Sequence, residues 1–210
     1  MNEYLIEIAK MADISAIASL FTESFKDSVL HHCGGKLPKP QAMRDVFLLV
    51  YQAEPTSAFV ARTRQGKLVG YCFAPAALSR LWLKAIAGGH IFKWIWRWLS
   101  GQYGFGFYPL KIIVYNKFAF LRSAATPTKA ANARILSIAV AKEARSQGVA
   151  GKLMSAALEN FRAVGAKRVR LEVRPDNLPA IKVYHKQGFV EAGFTNDSQG
   201  PWLIMFKEME

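Results

Sequence analysis

The stretch from residue 135 to residue 150 constrains the fold more than any other part of this chain. An apolar run, Ile135–Val140, leads through a few polar residues into the turn Arg145–Ala150, which precedes a helical pattern. The first N–H groups of a helix have no acceptor inside the helix, and the helix dipole is positive there. A strand that turns into a helix in this way can therefore hold a phosphate group. Gly148 lets the backbone approach an anion closely, and Arg145 can add a charged donor. The stretch predicts an α/β fold with an anion site, without the glycine patterns of dinucleotide folds or P-loops.

The turn Arg145-Ser146-Gln147-Gly148-Val149-Ala150 resembles a loop of the GCN5-related N-acetyltransferases, the GNAT family. In that family the pattern R/Q-x-x-G-x-G/A binds the pyrophosphate of acyl-CoA. Spaced motifs continue the resemblance, in the family's order, over roughly residues 133 to 194: Leu171-Glu172-Val173-Arg174-Pro175-Asp176-Asn177, Ala180-Ile181, Tyr184 and Gly188-Phe189. The resemblance implies an α/β (α+β) fold with a mixed central sheet of about seven strands flanked by helices. With 210 residues and 51% hydrophobic content, the chain is long enough for one such domain over residues 1–210.

Hydrophobic periodicity and turn residues place the elements of this fold along the chain. In the first half we expect a strand at 4–8, a helix after the N-cap Asp13, a helix over 41–52 and a hairpin with strands at 58–61 and 68–73. In the second half we expect a strand at 135–140, a helix over 149–164, a strand at 168–173, a helix from Asn177 or Pro179 to about Gly188, and strands at 189–193 and 202–206.

Residues 78–129 form an insertion relative to the minimal pattern of the family. A connection of about fifty residues needs structure of its own, and the pattern predicts helices at 81–87 and 91–99. Four of the five tryptophans lie in this insertion, and Lys93 and Arg97 stand one turn apart on one side of the second helix. Three interpretations stay open. The insertion is an added helical layer that packs on the sheet or forms a dimer interface, a basic aromatic surface for an anionic membrane, or a lid over the substrate.

The net charge of +13 arises in the middle of the chain. Between Glu54 and Glu143 there are thirteen lysines and arginines and no acidic residue, while the remainder of the chain is balanced. A block of one sign attracts phosphates, anionic lipid or acidic substrates. No nucleic-acid-binding module accompanies the charge, so nucleic acid is not expected as a partner. Cys33 and Cys72 lack the spacing of metal ligands, so we expect no metal and two reduced thiols.

The resemblance to the GNAT family also implies a cofactor site. Acetyl-CoA, the co-substrate, is expected between the fourth and fifth strands, against the backbone of Ile138, Ala139 and Val140. Its pyrophosphate is expected at the loop and the first turn of the following helix: Arg145, Ser146, Gln147, Gly148, Val149, Ala150, Gly151 and Lys152. Asn177 resembles the asparagine that binds the pantetheine arm, and it can also cap its own helix. Tyr184 resembles the catalytic tyrosine that protonates the departing thiolate, a role open to a phenol of pKa about 10, or it packs against its helix.

The sequence does not assign the general base. Many members of the family have a glutamate where this chain has Ser137, and a serine is not an efficient base unaided. The alternatives are Glu23, Asp27, His31 and His32 near the end of the first helix, Glu172 on the fifth strand, and a relay of ordered waters.

The resemblance to the GNAT family implies an acyltransferase that moves an acetyl group directly to a primary amine. An amino sugar or a glycoconjugate precursor is one acceptor, and the alternatives to catalysis are a CoA-binding regulatory module or a peripheral membrane protein that uses the Trp-rich insertion. The N-terminus does not resemble a signal peptide, and no run has the roughly twenty apolar residues of a membrane span. We therefore expect a cytoplasmic protein, at most peripheral at the inner membrane face. The acyl chain length and a homodimer stay open.

Overall fold

The computed structural model describes residues 3–104, 106, 131 and 133–209. Most of the second half of the insertion expected over 78–129, including the apolar stretch at 110–121, lies outside the described residues. The described part contains two four-stranded sheets with helices packed against them. No helix in this part is long and apolar enough to cross a membrane.

Seven α-helices and eight strands lie in the described residues. The helices are α1 Ile14–Ser24, α2 Lys26–His32, α3 Pro40–Ala53, α4 Leu78–Ala87, α5 His90–Leu99, α6 Val149–Ala163 and α7 Leu178–Lys186. The strands are β1 Leu5–Ile8, β2 Ala58–Arg62, β3 Leu68–Phe73, β4 Ala133–Arg134, β5 Ser137–Val140, β6 Arg168–Val173, β7 Val190–Asp197 and β8 Gly200–Glu208. Helix α2 was not expected from the sequence, and β7 and β8 are longer than expected.

The first sheet is antiparallel and has the strand order β1-β2-β3-β5. Side chains alternate across it, so that neighbouring residues of β3 belong to different cores. Tyr71 and Phe73 pack with Phe47 of α3 and with α1 on one face. Gly70 lies on the other face, where α6 packs so closely that a Cβ would come within 3.1 Å of Leu153.

The second sheet has the order β4-β6-β8-β7, in which β4 and β6 are parallel and the other pairs antiparallel. Val169, Leu171 and Val173 of β6 are buried in the core that α6 and α7 share with the first sheet. Both helices therefore cover the junction between the two sheets.

The strand expected over 135–140 is divided between these sheets. Arg134 pairs with Arg170 of β6, whereas Ser137–Val140 pairs with β3. Between them the Ile135 N–H donates to the Arg170 carbonyl (2.9 Å), and the Leu136 N–H donates to the Phe73 carbonyl (2.8 Å). Successive N–H groups of an extended chain point to opposite sides, so these two residues leave one sheet and join the other. The single sheet of about seven strands is therefore two sheets of four that share one continuous segment.

Candidate functional site

The two sheets diverge after Ile135 and leave an open strand edge between them. Among the described residues β5 pairs only with β3, and residues 171–173 of β6 have no partner on the side that faces β5. The Ala141 N–H donates to the Val69 carbonyl (2.8 Å), so alternation directs the backbone groups of Ile138 and Val140 towards the open edge. An edge of this kind offers a row of donors and acceptors to a ligand.

A left-handed turn joins β5 to α6 beside this edge. Ser146 and Gly148 have φ values of +61° and +78°, and a Cβ at Gly148 would meet no atom within 4 Å. Gly148 is the N-cap of α6, and Val149, buried at the next position, anchors the helix in the core. The N–H groups of the first turn have no acceptor inside the helix. The turn predicted at 145–150 is therefore present, and the space in front of its glycine is open.

The side chains of Arg145 and Gln147 brace this turn. Arg145 donates from Nε to the Val140 carbonyl (3.0 Å), which ties the turn to the open edge. Gln147 accepts from the Tyr4 hydroxyl (2.8 Å) and donates to the Glu143 carbonyl (2.8 Å). Both residues were expected in the loop that holds the pyrophosphate, largely through its N–H groups. In this structure their contacts hold the loop, and Tyr4 is a supporting residue that the sequence did not reveal.

Gly151 and Lys152 lie in the first turn of α6 and also border a groove on its β1 side. They line a groove of about 560 Å³ between β1 and α6, together with Ile6, Phe59 and Glu159 among others. Because β1 and β5 stand at opposite ends of the first sheet, this groove lies on the side of α6 away from the open edge. The Gly151 carbonyl also accepts from Gln187 Nε2 (3.4 Å), just past the end of α7, so Gly151 lies between this groove and α7.

Tyr184 of α7 is 7% exposed and packs against Phe189, with ring centroids 6.2 Å apart. Burial raises the pKa of its phenol far above the ordinary value, and the nearby Cys72 thiol adds to that rise. Cys72 stands opposite Ile138 in the β3–β5 pair, so Tyr184 lies beside the open edge. The phenol is held in its protonated form, which is the form that can donate a proton.

Asn177 caps α7, and its Oδ1 accepts the Ala180 N–H (3.3 Å). This cap is one of the two roles expected for Asn177, and the side chain is exposed at the same end of α7. Pro179 stands in the first turn of the helix, where a missing N–H costs nothing.

Ser137 forms a hydrogen-bonded pair with Tyr71, whose hydroxyl lies 2.8 Å from the serine Oγ. Tyr71 is fully buried, and burial raises the pKa of its phenol well above the ordinary value despite the bond to Ser137. Neither hydroxyl is a base at neutral pH, but the pair can orient a water or an amine. Sequence reasoning missed Tyr71, because only the β3–β5 register brings it to Ser137.

The other candidate bases have different surroundings. Glu23 and Asp27 are exposed. His31 forms a hydrogen bond with Ser198 (3.1 Å), and Ser28, one turn earlier, donates to Gln199 (2.6 Å). Helix α2 therefore packs against the turn between β7 and β8. His32 bonds to the Ser28 carbonyl (2.8 Å) within its own helix. Of these residues, His31 lies at the contact between α2 and the second sheet.

Glu172 is an ion-pair partner in an arginine-rich face of the second sheet. It pairs with Arg134 (3.5 Å) and Arg170 (2.5 Å), and the Nε atoms of both arginines are buried without a hydrogen-bond partner. Burial lowers the pKa of Arg134. Arg174 continues this face, and its guanidinium stacks 3.9 Å from the Trp202 ring. Charged residues stand at every second position of 168–174, and this pattern was the sequence signal that could have indicated a charged face of the sheet. Within the described residues no cluster of His, Cys, Asp or Glu could hold a metal.

Comparison with known proteins extends these observations. The sequence model of the Acetyltransferase (GNAT) family matches residues 14–189. An N-alpha-acetyltransferase from Sulfurisphaera tokodaii is 39% identical over 66 residues, which are 31% of this chain and 40% of that protein. The chain therefore spans less than half the length of this relative.

Solved structures share the fold over nearly the whole chain. The crystal structure of SsHAT has a TM-score of 0.66 at 19% identity and covers 99% of both chains. The structure of yncA from Salmonella typhimurium, solved with its cofactor acetyl-CoA, has a TM-score of 0.60 at 15% identity, over 99% of this chain and 95% of that one. At these identities the likeness is one of fold.

Proposed function

We propose that this chain, which belongs to the acetyltransferase (GNAT) family and is an acyltransferase, transfers the acetyl group of acetyl-CoA directly to a primary amine. The observation that carries this proposal is the open edge at Ile138 and Val140 beside the left-handed turn at Gly148. The edge and the turn belong to one continuous segment. A ligand that is extended at one end and anionic at the other fits this combination.

The residues present fit acetyl-CoA. Gly148 leaves open space in front of the first-turn N–H groups of Val149 and Ala150, which suits a pyrophosphate. The backbone of Ile138 and Val140, which flank Ala139, suits the amide-rich pantetheine arm. Asn177 adds a side-chain amide at the start of α7. Arg145 and Gln147 support the turn, with Ser146 in its left-handed bend. Gly151 adds a third N–H group of the same helix turn, and Lys152 adds positive charge.

The chemistry requires one activated acyl group and two proton movements. Acetyl-CoA supplies the thioester, whose C–S bond breaks as the new C–N bond forms, while the amine loses a proton and the sulfur gains one. Tyr184 is the proton donor that we propose for the sulfur, because it lies in one core cluster with Cys72, which stands opposite Ile138 of the open edge. N–H groups at the open edge of β5 are the donors that we propose for the acyl oxygen.

For the amine proton we propose a route through water held by the Tyr71–Ser137 pair. The pair has no basic group, so the proton must pass on to solvent or to a carboxylate or histidine on the acceptor side. His31 stands where α2 meets the turn between β7 and β8, and its imidazole is the acceptor-side group that we propose for the amine proton.

The acceptor that we propose is an amine on a molecule that carries phosphate, such as an amino sugar of a glycoconjugate precursor. The acid-free and basic middle of the sequence supports this choice, because a block of positive charge attracts phosphate. A peptide N-terminus is the competing acceptor, since the Sulfurisphaera tokodaii relative is named an N-alpha-acetyltransferase. A screen of phosphorylated amino sugars against peptides, with free CoA as the readout, separates the two.

The first experiment measures binding of acetyl-CoA by calorimetry. Gly148→Glu puts a negative side chain in front of the helix N-terminus, and we expect it to abolish binding. Gly165→Glu is the matched control, because Gly165 stands just past the other end of α6 with φ +70° and equally open space. Binding by the parent and by the control, with loss only at Gly148, supports the site. Loss in both variants, or no binding by the parent, overturns it.

A CoA-binding regulatory module is the alternative in which the fold binds acetyl-CoA without turnover. It predicts the same calorimetric result but no release of CoA with any amine in the screen. The peripheral membrane interpretation does not compete with acyl transfer, because it uses α4 and α5 and not the open edge.

A further inference from the structure

Helix α5 exposes its apolar side. Phe92, Ile95, Trp96 and Leu99 are between 47% and 74% exposed. Their spacing of i, i+3, i+4 and i+7 places them in one stripe along the helix. A helix on the surface of a water-soluble domain normally shows the reverse arrangement, with its apolar stripe against the core.

The opposite side of α5 is held to the domain by polar contacts. Arg97 pairs with Asp45 of α3 (2.5 Å), whose side chain is 3% exposed and also accepts the Tyr103 hydroxyl (2.8 Å). His90 at the start of α5 is buried as well. Helix α5 therefore cannot rotate to expose Arg97 without breaking the contact with Asp45. Its apolar stripe stays on the outside.

Helix α4 adds to the same kind of surface. Leu83 and Ile86 are each more than half exposed, and only Gly88 and Gly89 separate α4 from α5. We call these six side chains the α4–α5 face: Leu83, Ile86, Phe92, Ile95, Trp96 and Leu99. Single exposed apolar residues are common on protein surfaces, but six on two consecutive helices require an explanation.

The exposed charged residues of α4 and α5 are all cations. Arg80 and Lys84 of α4 and Lys93 of α5 are exposed. The sequence has no acidic residue between Glu54 and Glu143 that could balance them. Aromatic and aliphatic side chains bordered by cations are what an anionic lipid surface binds, through burial at the level of the acyl chains and attraction to the headgroups.

We propose that the α4–α5 face docks flat on an anionic phospholipid bilayer. The apolar stripe of α5 enters the interface, and Lys84 and Lys93 contact the headgroup phosphates. This goes beyond acyl transfer, because neither helix contributes to the open edge or to the turn at Gly148. A second copy of the chain would cover the apolar stripe equally well, but it would bring the same uncompensated cations together. Charge therefore favours the lipid.

The test is flotation of the full chain with vesicles. We expect binding to vesicles of phosphatidylglycerol and phosphatidylcholine, and at least tenfold weaker binding to phosphatidylcholine alone. Trp96→Ser with Leu99→Ser should lower binding at least tenfold. The matched control is Leu178→Ser with Phe194→Ser, which changes two equally exposed apolar residues elsewhere and should bind as the parent does. Lys84→Glu with Lys93→Glu should abolish the preference for anionic vesicles. Arg97 is left intact because of its bond to Asp45.

No binding of the parent to anionic vesicles overturns the proposal, as does equal loss in the control variant. A dimer by light scattering that the Trp96 and Leu99 changes dissociate, without vesicle binding, assigns the face to a second copy and also overturns it. Calorimetry with acetyl-CoA on the same variants should match the parent, which shows that they fold. A failure of the membrane proposal is thereby separate from a failure of the acetyl-CoA site.

Discussion

At the scale of single residues, Tyr184 offers the sharpest test of the chemistry. Its phenol is buried beside Cys72 and keeps its proton, because burial raises the pKa of the group. We expect Tyr184→Phe to lower kcat about 100-fold, within the range that loss of a general acid produces. The dissociation constant of acetyl-CoA should stay within about twofold, since the ring still packs on Phe189. Steady-state kinetics with calorimetry on the same samples measures both quantities.

Tyr4→Phe provides the contrast to that variant. It removes the hydrogen bond to Gln147 that braces the turn before α6 (2.8 Å), and it leaves the surroundings of Tyr184 unchanged. We expect weaker binding of acetyl-CoA with little change in kcat. If Tyr184→Phe turns over as fast as the parent, the phenol only packs against its helix and another group protonates the sulfur.

The two thiols should differ in reactivity. Burial raises the pKa of the Cys72 thiol to about 12. Burial also raises the pKa of the Cys33 thiol, but Cys33 is only partly buried and a reagent can reach it. Because the thiolate is the reactive form, a disulfide reagent should label Cys33 slowly in the native protein and Cys72 only after unfolding. Cys33→Ser should abolish the native reaction. Rapid labelling of both thiols would contradict the burial of Cys72.

At the scale of elements, the contact between α3 and α5 depends on Asp45. Removing one partner of a buried pair leaves the other without compensation, so Asp45→Ala should lower the free energy of unfolding by about 2–4 kcal/mol. Arg97→Ala should cost at least as much, because it leaves the more buried Asp45 carboxylate without its cation. Urea denaturation of both variants and of the double variant gives the coupling energy. A coupling close to zero would mean that other contacts hold α5 in place.

The elements that local sequence specifies were predictable. The hairpin of β2 and β3, the strand β6 and the helices α6 and α7 carry their own turn residues, caps and periodicity, and they stand within a few residues of the predicted bounds. The division of the strand at Ile135 was not predictable, because it depends on which sheet each N–H group reaches. The inward position of Arg97 was missed for the same reason, since its partner Asp45 lies 52 residues away.

At the scale of the whole molecule, the cofactor side that we propose rests on local motifs, and the acceptor side that we propose does not. The open edge, the turn at Gly148 and Tyr184 all fall within one contiguous stretch. The proposed acceptor side combines α2 with the turn between β7 and β8 through the bond of His31 to Ser198, which joins positions 167 residues apart. It also includes the Tyr71–Ser137 pair, which requires the β3–β5 register. Sequence patterns carry no information on such pairings, so the base and the acceptor stayed open.

Two carboxylates couple the stability of the whole domain to pH. Burial alone would raise the pKa of Asp45, but hydrogen bonds from Arg97, Tyr103 and Gln41 outweigh it and lower that pKa. For Asp197 the hydrogen bonds of Trp202, Gln199 and Arg174 outweigh burial in the same way and lower its pKa. The folded state therefore favours the charged form of both groups more than the unfolded state does. Their contribution is fully present above the unfolded pKa of about 3.9 and is lost as the pH falls through the lower folded values.

We accordingly expect the free energy of unfolding to fall as the pH is lowered below about 4, and Asp45→Asn with Asp197→Asn to flatten that dependence. Urea denaturation at a series of pH values measures it. Glu143→Gln is the matched control, because hydrogen bonding to Lys67 lowers the pKa of Glu143 although both side chains are mostly exposed. Solvent screens such a pair, so this variant should keep the slope of the parent. If the control flattens the curve as much as the double variant does, exposed charges dominate acid unfolding. The clusters around Asp45 and Asp197 then do not govern it.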